Sequence, residues 1–172
     1  MQARFILVPA LVITSPVHAT VFMSVEQAQA VMFPGETMTP HFIDLSDAQI
    51  SKIEDASDTD VLVNHLRAWR ASGGGWFIAD QVVGKHDFIP FALALSADGS
   101  VKDIEILEYR EAYGGDVCNP KWLAQFKGKH NGSTLALTQD IQNISGATLS
   151  SKHITDGVRR LLATYAVALA PH

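Results

Sequence analysis

Cysteine is nearly absent: Cys118 stands alone in 172 residues, which excludes an internal disulfide, a four-cysteine zinc or iron–sulfur site and a CxxCH haem attachment. Positive charge is also scarce. Lys and Arg number 13 against 18 Asp and Glu, a net charge of −5, and no basic stripe exists to neutralise phosphates, so a nucleic-acid partner is not expected. The seven histidines show no HxxxH or HExxH spacing, so no metal site is expected. Neither Gly84-Lys85 nor Gly128-Lys129 has the upstream glycine of a Walker motif, and no GxSxG elbow is present. What remains is 47% hydrophobic and 18% charged residues, the composition of a single compact domain with a real core.

Residues 1–19 stand apart from that core. Arg4 precedes an apolar stretch from Phe5 to Ile13, interrupted by Pro9, and Val17-His18-Ala19 has the small-x-small form of a signal cleavage site. The stretch is too short for a layer that needs about 20 residues to cross. A signal peptide or N-terminal anchor is the expectation, which makes the protein exported or periplasmic, with membrane association through this segment. A buried N-terminal strand is the competing reading.

The rest reads as α+β, helices packed with an antiparallel sheet in a single domain. Residues 20–75 are expected to form a helical segment packed on the main domain, 76–172. Ser24 with Gln27, and Ser46 with Gln49, are capping boxes that start two short helices. Residues 61–71 fit a helical stripe but also alternate, and Gly73-Gly74-Gly75 favours a hairpin into a strand from Trp76 to Val83. Ile89, Phe91, Leu93 and Leu95 alternate with small residues, and Asp98-Gly99 turns that strand into another running from Val101 to Tyr109. Asn119-Pro120 opens a helix bearing Trp122, Leu123 and Phe126. A short strand is expected through Leu135 and Leu137. The last helix carries Ile154, Val158, Leu161, Leu162, Tyr165 and Leu169 on one stripe.

Chemistry gathers where that last helix begins. Ser145-Gly146-Ala147-Thr148 sets two small residues between hydroxyls, so backbone N–H groups and the positive end of the helix dipole are open to a phosphate. One hydroxyl would then serve as the alcohol of a phosphodiester. Equally, Ser145 or Thr148 is the sort of residue that merely caps a helix. Cys118, ahead of Asn119-Pro120, reads as a small residue at a helix entrance.

The Ser-Gly-Ala-Thr run resembles the signature Asp-x-x-Ser/Thr-Gly-Ala-Thr/Ser of the FMN-binding domain family, known from flavin subunits of Rnf and sodium-pumping quinone reductase complexes and from small exported flavoproteins. The order of Gly84-Lys85-His86, the Asp98-Gly99 turn, Glu108 to Gly115, Gln125 to Lys129 and the Ser-Gly-Ala-Thr run is similar to that of small exported members, over residues 76 to 169. The resemblance implies FMN as cofactor, esterified through Thr148 by a flavin transferase, with Ser145, Gly146, Ala147, Leu149 and Ser150 around the phosphate. It also implies that Glu111, Tyr113, Gly114 and Gly115 lie near the flavin ring. The leading Asp of the signature is replaced by Gln142, and Asp140 is two residues out of register. The implied role is an electron carrier more than a stand-alone enzyme, working with a membrane-bound or periplasmic redox partner. A flavin-dependent reductase acting on a small acceptor, and a module of the same fold without flavin, are the alternatives.

Overall fold

The computed structural model describes residues 20–111 and 113–171; the expected signal or anchor segment lies outside them. Five antiparallel strands form the main sheet in the order β2-β3-β4-β5-β6: β2 (Met38–Asp44), β3 (His65–Ala71), β4 (Trp76–Val83), β5 (Phe88–Leu95) and β6 (Val101–Ile106). A separate pair joins β1 (Thr20–Val21) to β7 (Glu108–Tyr109). The helices are α1 (Val25–Met32), α2 (Asp47–Ser57), the single-turn α3 (Pro120–Leu123) and α4 (Thr148–Thr164), which runs on into a π-turn over Tyr165–Leu169. The fold is α+β, as the alternation of apolar residues predicts.

Both capping boxes form. Ser24 and Gln27 cap α1 reciprocally, and Ser46 and Gln49 do the same for α2, satisfying backbone donors that a helix start leaves unpaired. The hairpin reading of 61–71 holds, since β3 pairs with β4 across the Gly73–Gly75 turn.

Strand β5 is buried on both faces. Its large residues Ile89, Phe91, Leu93 and Leu95 join α4's Ile154, Val158, Leu161 and Leu162 in the main core. Its small residues Ala92 and Ala94 face the other way, where Ala28, Met32 and Phe33 of α1 and its C-terminal end pack on Phe77. Alternating large and small side chains on one central strand thus receive a long helix on one face and a close short one on the other. Arg160 of α4 is 4% exposed and reaches the Asp80 carboxylate at 2.8 Å and the carbonyl oxygens of Asp60 and Gln81, so its buried charge is fully partnered.

Three expectations need correction. Residues 20–75 are not a helical segment alone: they supply β1, β2 and β3, and the sheet continues across residue 75. The strand expected from Val101 to Tyr109 breaks at Leu107, whose N–H still bonds Pro90 O while its own carbonyl accepts from Phe22 and Met23. The chain there leaves one sheet for the other. No strand forms through Leu135 and Leu137, where only an isolated bridge links Leu137 to Ile141. The Asp140 carboxylate gathers the N–H groups of Leu135 and Ala136 and the Lys129 ammonium, folding this stretch into a loop, with Leu135 at φ +42°.

Candidate functional site

Helix α4 begins without a side-chain cap. Its N-cap is Ala147, and neither Ser145 nor Thr148 bonds back to the helix backbone, so simple capping does not account for these hydroxyls. Thr148 is exposed at the first position of the helix. Its Oγ1 accepts a hydrogen bond from Asn143 Nδ2 at 3.3 Å. Ser145 is exposed, Gly146 adopts φ +82° with nothing within 4 Å of the place where a Cβ would sit, and Leu149 is 43% exposed. Ala147 and Ser150 are instead buried.

Those two buried residues carry the contact with the loop after β7. Tyr109 Oη donates to the carbonyl of Tyr113 at 2.7 Å and lies 3.3 Å from Ser150 Oγ. Burial pushes the Tyr109 phenol above its ordinary value, with smaller effects from Ser150 and nearby acids, so it stays a donor. Gly114, at φ +88°, passes so close that a Cβ there would sit 2.8 Å from Tyr109 Oη and 3.3 Å from Ala147 Cβ. Only glycine meets both demands at once. The predicted ring loop and the predicted phosphate segment therefore meet, with Tyr109 between them. Tyr113 itself is 85% exposed.

Glu111 lies in the same loop but turns elsewhere. Its Oε1 accepts from the N–H groups of His86 at 2.6 Å and Asp87 at 3.1 Å, tying the loop to the β4–β5 turn. Desolvation pushes its carboxyl up, but the backbone N–H groups of His86, Asp87 and Lys85 outweigh that and hold it below the ordinary value. Gly115 opens a 3₁₀ turn over Gly115–Cys118 and makes no close approach. Cys118 is half-buried, and burial pushes its thiol up to about 11, which removes it as a nucleophile.

On the other side of α4's start, Gln142 is held by its backbone. Its N–H donates to Gln125 Oε1 at 2.8 Å and its carbonyl accepts from Trp122 Nε1 at 2.7 Å. Asp140 does not replace the missing signature acid, because both its oxygens are committed to Lys129, Leu135 and Ala136. Sequence reasoning missed Tyr109, which reads along the chain only as a strand end, and Asn143, which carries no local signal.

An uncapped helix start with an exposed threonine hydroxyl and open space over Gly146 leaves room for an anion such as a phosphate. Residues 84–163 match the model of the FMN-binding domain. The likeness to that family lies in this segment, a little under half of the chain.

Two curated relatives are named as subunits of ion-translocating oxidoreductase complexes. This chain is 28% identical over 109 residues to the G component of a proton-translocating ferredoxin:NAD(+) oxidoreductase complex from Clostridium ljungdahlii, covering 56% of this chain and 59% of that one. It is 34% identical over 80 residues to the corresponding component of a Na(+)-translocating ferredoxin:NAD(+) oxidoreductase complex from Acetobacterium woodii, covering 41% and 39%. The chain thus spans less than two-thirds of either relative. The FMN-binding domain match begins in the β4–β5 turn and ends in α4, so it includes Glu111, the 113–115 loop and Thr148.

Proposed function

We propose that this protein carries FMN at the start of α4, joined as a phosphoester to Thr148, and relays electrons between redox partners outside the cytoplasm. The observation that carries the reading is the uncapped start of α4, where an exposed Thr148 hydroxyl follows Ala147, the residue that Gly114 approaches. Ser145, Gly146 and the N–H groups of the first α4 turn would hold the phosphate, and Leu149 and the 113–115 loop are the residues left for the ring. FMN, when bound, supplies one- and two-electron chemistry; the chain supplies fixation and orientation.

Attachment needs an activated donor, because condensation of a phosphate with an alcohol is unfavourable in water. Thr148 Oγ1 forms the bond to phosphorus and gives up its proton. A phosphoanhydride bond of the flavin nucleotide breaks, and a nucleoside monophosphate leaves. A flavin transferase catalyses the exchange. A tether suits an exported carrier, since a dissociated cofactor is lost by dilution outside the cell. The redox partner is membrane-bound or periplasmic, in keeping with relatives named as subunits of translocating oxidoreductase complexes.

The test is the protein co-expressed with a flavin transferase and run on an acid-treated denaturing gel. Flavin fluorescence is expected to stay with the band and to vanish in Thr148→Ala. Yellow protein that releases FMN on denaturation would leave binding and remove the tether. A colourless protein of unmodified mass sinks the reading altogether.

A further inference from the structure

Resting on the Thr148 reading, we propose that Asn143 is a positioning residue for flavin attachment: its side-chain amide orients the Thr148 hydroxyl and then holds the phosphate bonded to it. The Asn143 Nδ2 group can only donate, so Thr148 Oγ1, 3.3 Å away, is the acceptor. That contact directs a lone pair of the hydroxyl toward the amide and leaves the O–H free to point outward, where the donor nucleotide must approach.

The backbone on either side of Asn143 is held in place. The preceding residue, Gln142, is pinned through both N–H and carbonyl to Gln125 and to the buried Trp122, and Ile141 is 1% exposed. The following residue, Ile144, offers its carbonyl to Ala147 N–H at 3.0 Å. A side chain on so fixed a backbone needs little further ordering to act.

Charge points the same way. From Ile141 to Ser151 the chain contains no carboxylate, although an acid near a helix N-terminus is favoured by the dipole. The nearest preceding acid, Asp140, is neutralised by Lys129 at 2.8 Å. With an amide at 143, no negative charge stands against the phosphate next to Thr148 Oγ1. Among the described residues the one hydrogen bond of the Asn143 side chain is the one to Thr148.

The two roles make opposite forecasts for Asn143→Asp. A role confined to the helix start predicts a protein at least as stable and labelled as well as wild type. Phosphate positioning predicts repulsion and a fall in labelling of about 100-fold, with about 10-fold for Asn143→Ala. The experiment measures transferase-catalysed flavin incorporation by intact mass at several acceptor-protein concentrations, normalised to folded protein by near-UV circular dichroism, with thermal midpoints of the unlabelled chains. The expected result is a lower kcat for both variants with the thermal midpoint of Asn143→Asp unchanged or raised. Wild-type labelling of Asn143→Asp, or a rise in KM alone, overturns the inference, the latter because it marks a contact with the transferase instead. Wild-type protein that takes no flavin fails the Thr148 reading itself, a result separable from failure of the variants alone.

Discussion

Glu111 shows how one carboxylate fixes two loops. Its oxygen replaces water for backbone N–H groups of the β4–β5 turn, and Gly84 leaves room for it, a Cβ there falling 2.4 Å from Oε1. Charge-assisted bonds of this kind are worth about 1.5–3 kcal/mol when buried; this site is largely solvated, so Glu111→Gln is expected to cost about 1 kcal/mol. Because the folded carboxyl lies below its ordinary value of 4.5, the stabilisation is present above that pH and is lost as pH falls through the folded value. Urea unfolding should therefore separate wild type from Glu111→Gln at pH 7 and bring them together in acid; a difference that grows in acid contradicts the assignment. Cys118 makes a second residue-scale test. A thiol pushed by burial up to about 11 presents far less thiolate at pH 8, so native protein should alkylate at least about 10-fold more slowly than urea-unfolded protein, the greater nucleophilicity of a high-pKa thiolate offsetting part of the loss.

Among the elements, α4 carries both the core stripe and the site, and its register on the sheet is set at Gly157. A Cβ there would meet Val82 Cγ1 at 2.5 Å and Phe91 Cζ at 3.2 Å. Gly157→Ala gains about 1 kcal/mol of helix propensity, but Val82 is β-branched and 3% exposed, so it cannot swing aside. Overpacking of about 1–3 kcal/mol wins, and the variant is expected to be net destabilised in thermal or urea melts. A variant as stable as wild type would mean α4 rides more loosely on β4. The stripe of α4 and both capping boxes were legible because each depends on residues three or four apart on one helix. Strand β2 was not: its residues are exposed or only partly buried and include Pro40, so it lacks an alternating signal and is defined by pairing with β3. The Leu135–Leu137 stretch alternates like a strand, yet Asp140 diverts its N–H groups. In the site, Ser-Gly-Ala-Thr was readable as a local run. The role of Tyr109 was not, since its partners Tyr113 and Ser150 meet only after the β7 end and α4 are packed.

At the scale of the whole molecule, the segment that matches the family and the unit that folds are different lengths of chain. The match starts at residue 84, inside the β4–β5 turn, and leaves out β4, which is the middle strand of the sheet. Even a chain starting at Trp76 loses β2 and β3, turning β4 into an open edge that bears Trp76, Phe77 and Ile78, and unpaired apolar edges template aggregation. It also loses α1 and Phe33, baring Phe77, Ala79, Ala92, Ala94 and Leu107 on the second face. Little large apolar surface remains on that face to replace the cover, because its alanines are matched to a close helix and not to solvent. Residues 20–171 are therefore expected to unfold in one cooperative transition, whereas 76–171 should bind a hydrophobic dye, sediment as aggregates and lack near-UV circular dichroism. The same comparison bears on the flavin. Thr148, Asn143, Glu111 and Gly114 are all present in the shorter chain, so if it takes up flavin at the full-length rate, the site forms without β2, β3 and α1. The structure predicts the reverse: α4 packs on β4 and β5, which without β3 and α1 lose an edge partner and the cover of their second face, so labelling of the shorter chain should fall with its folded fraction.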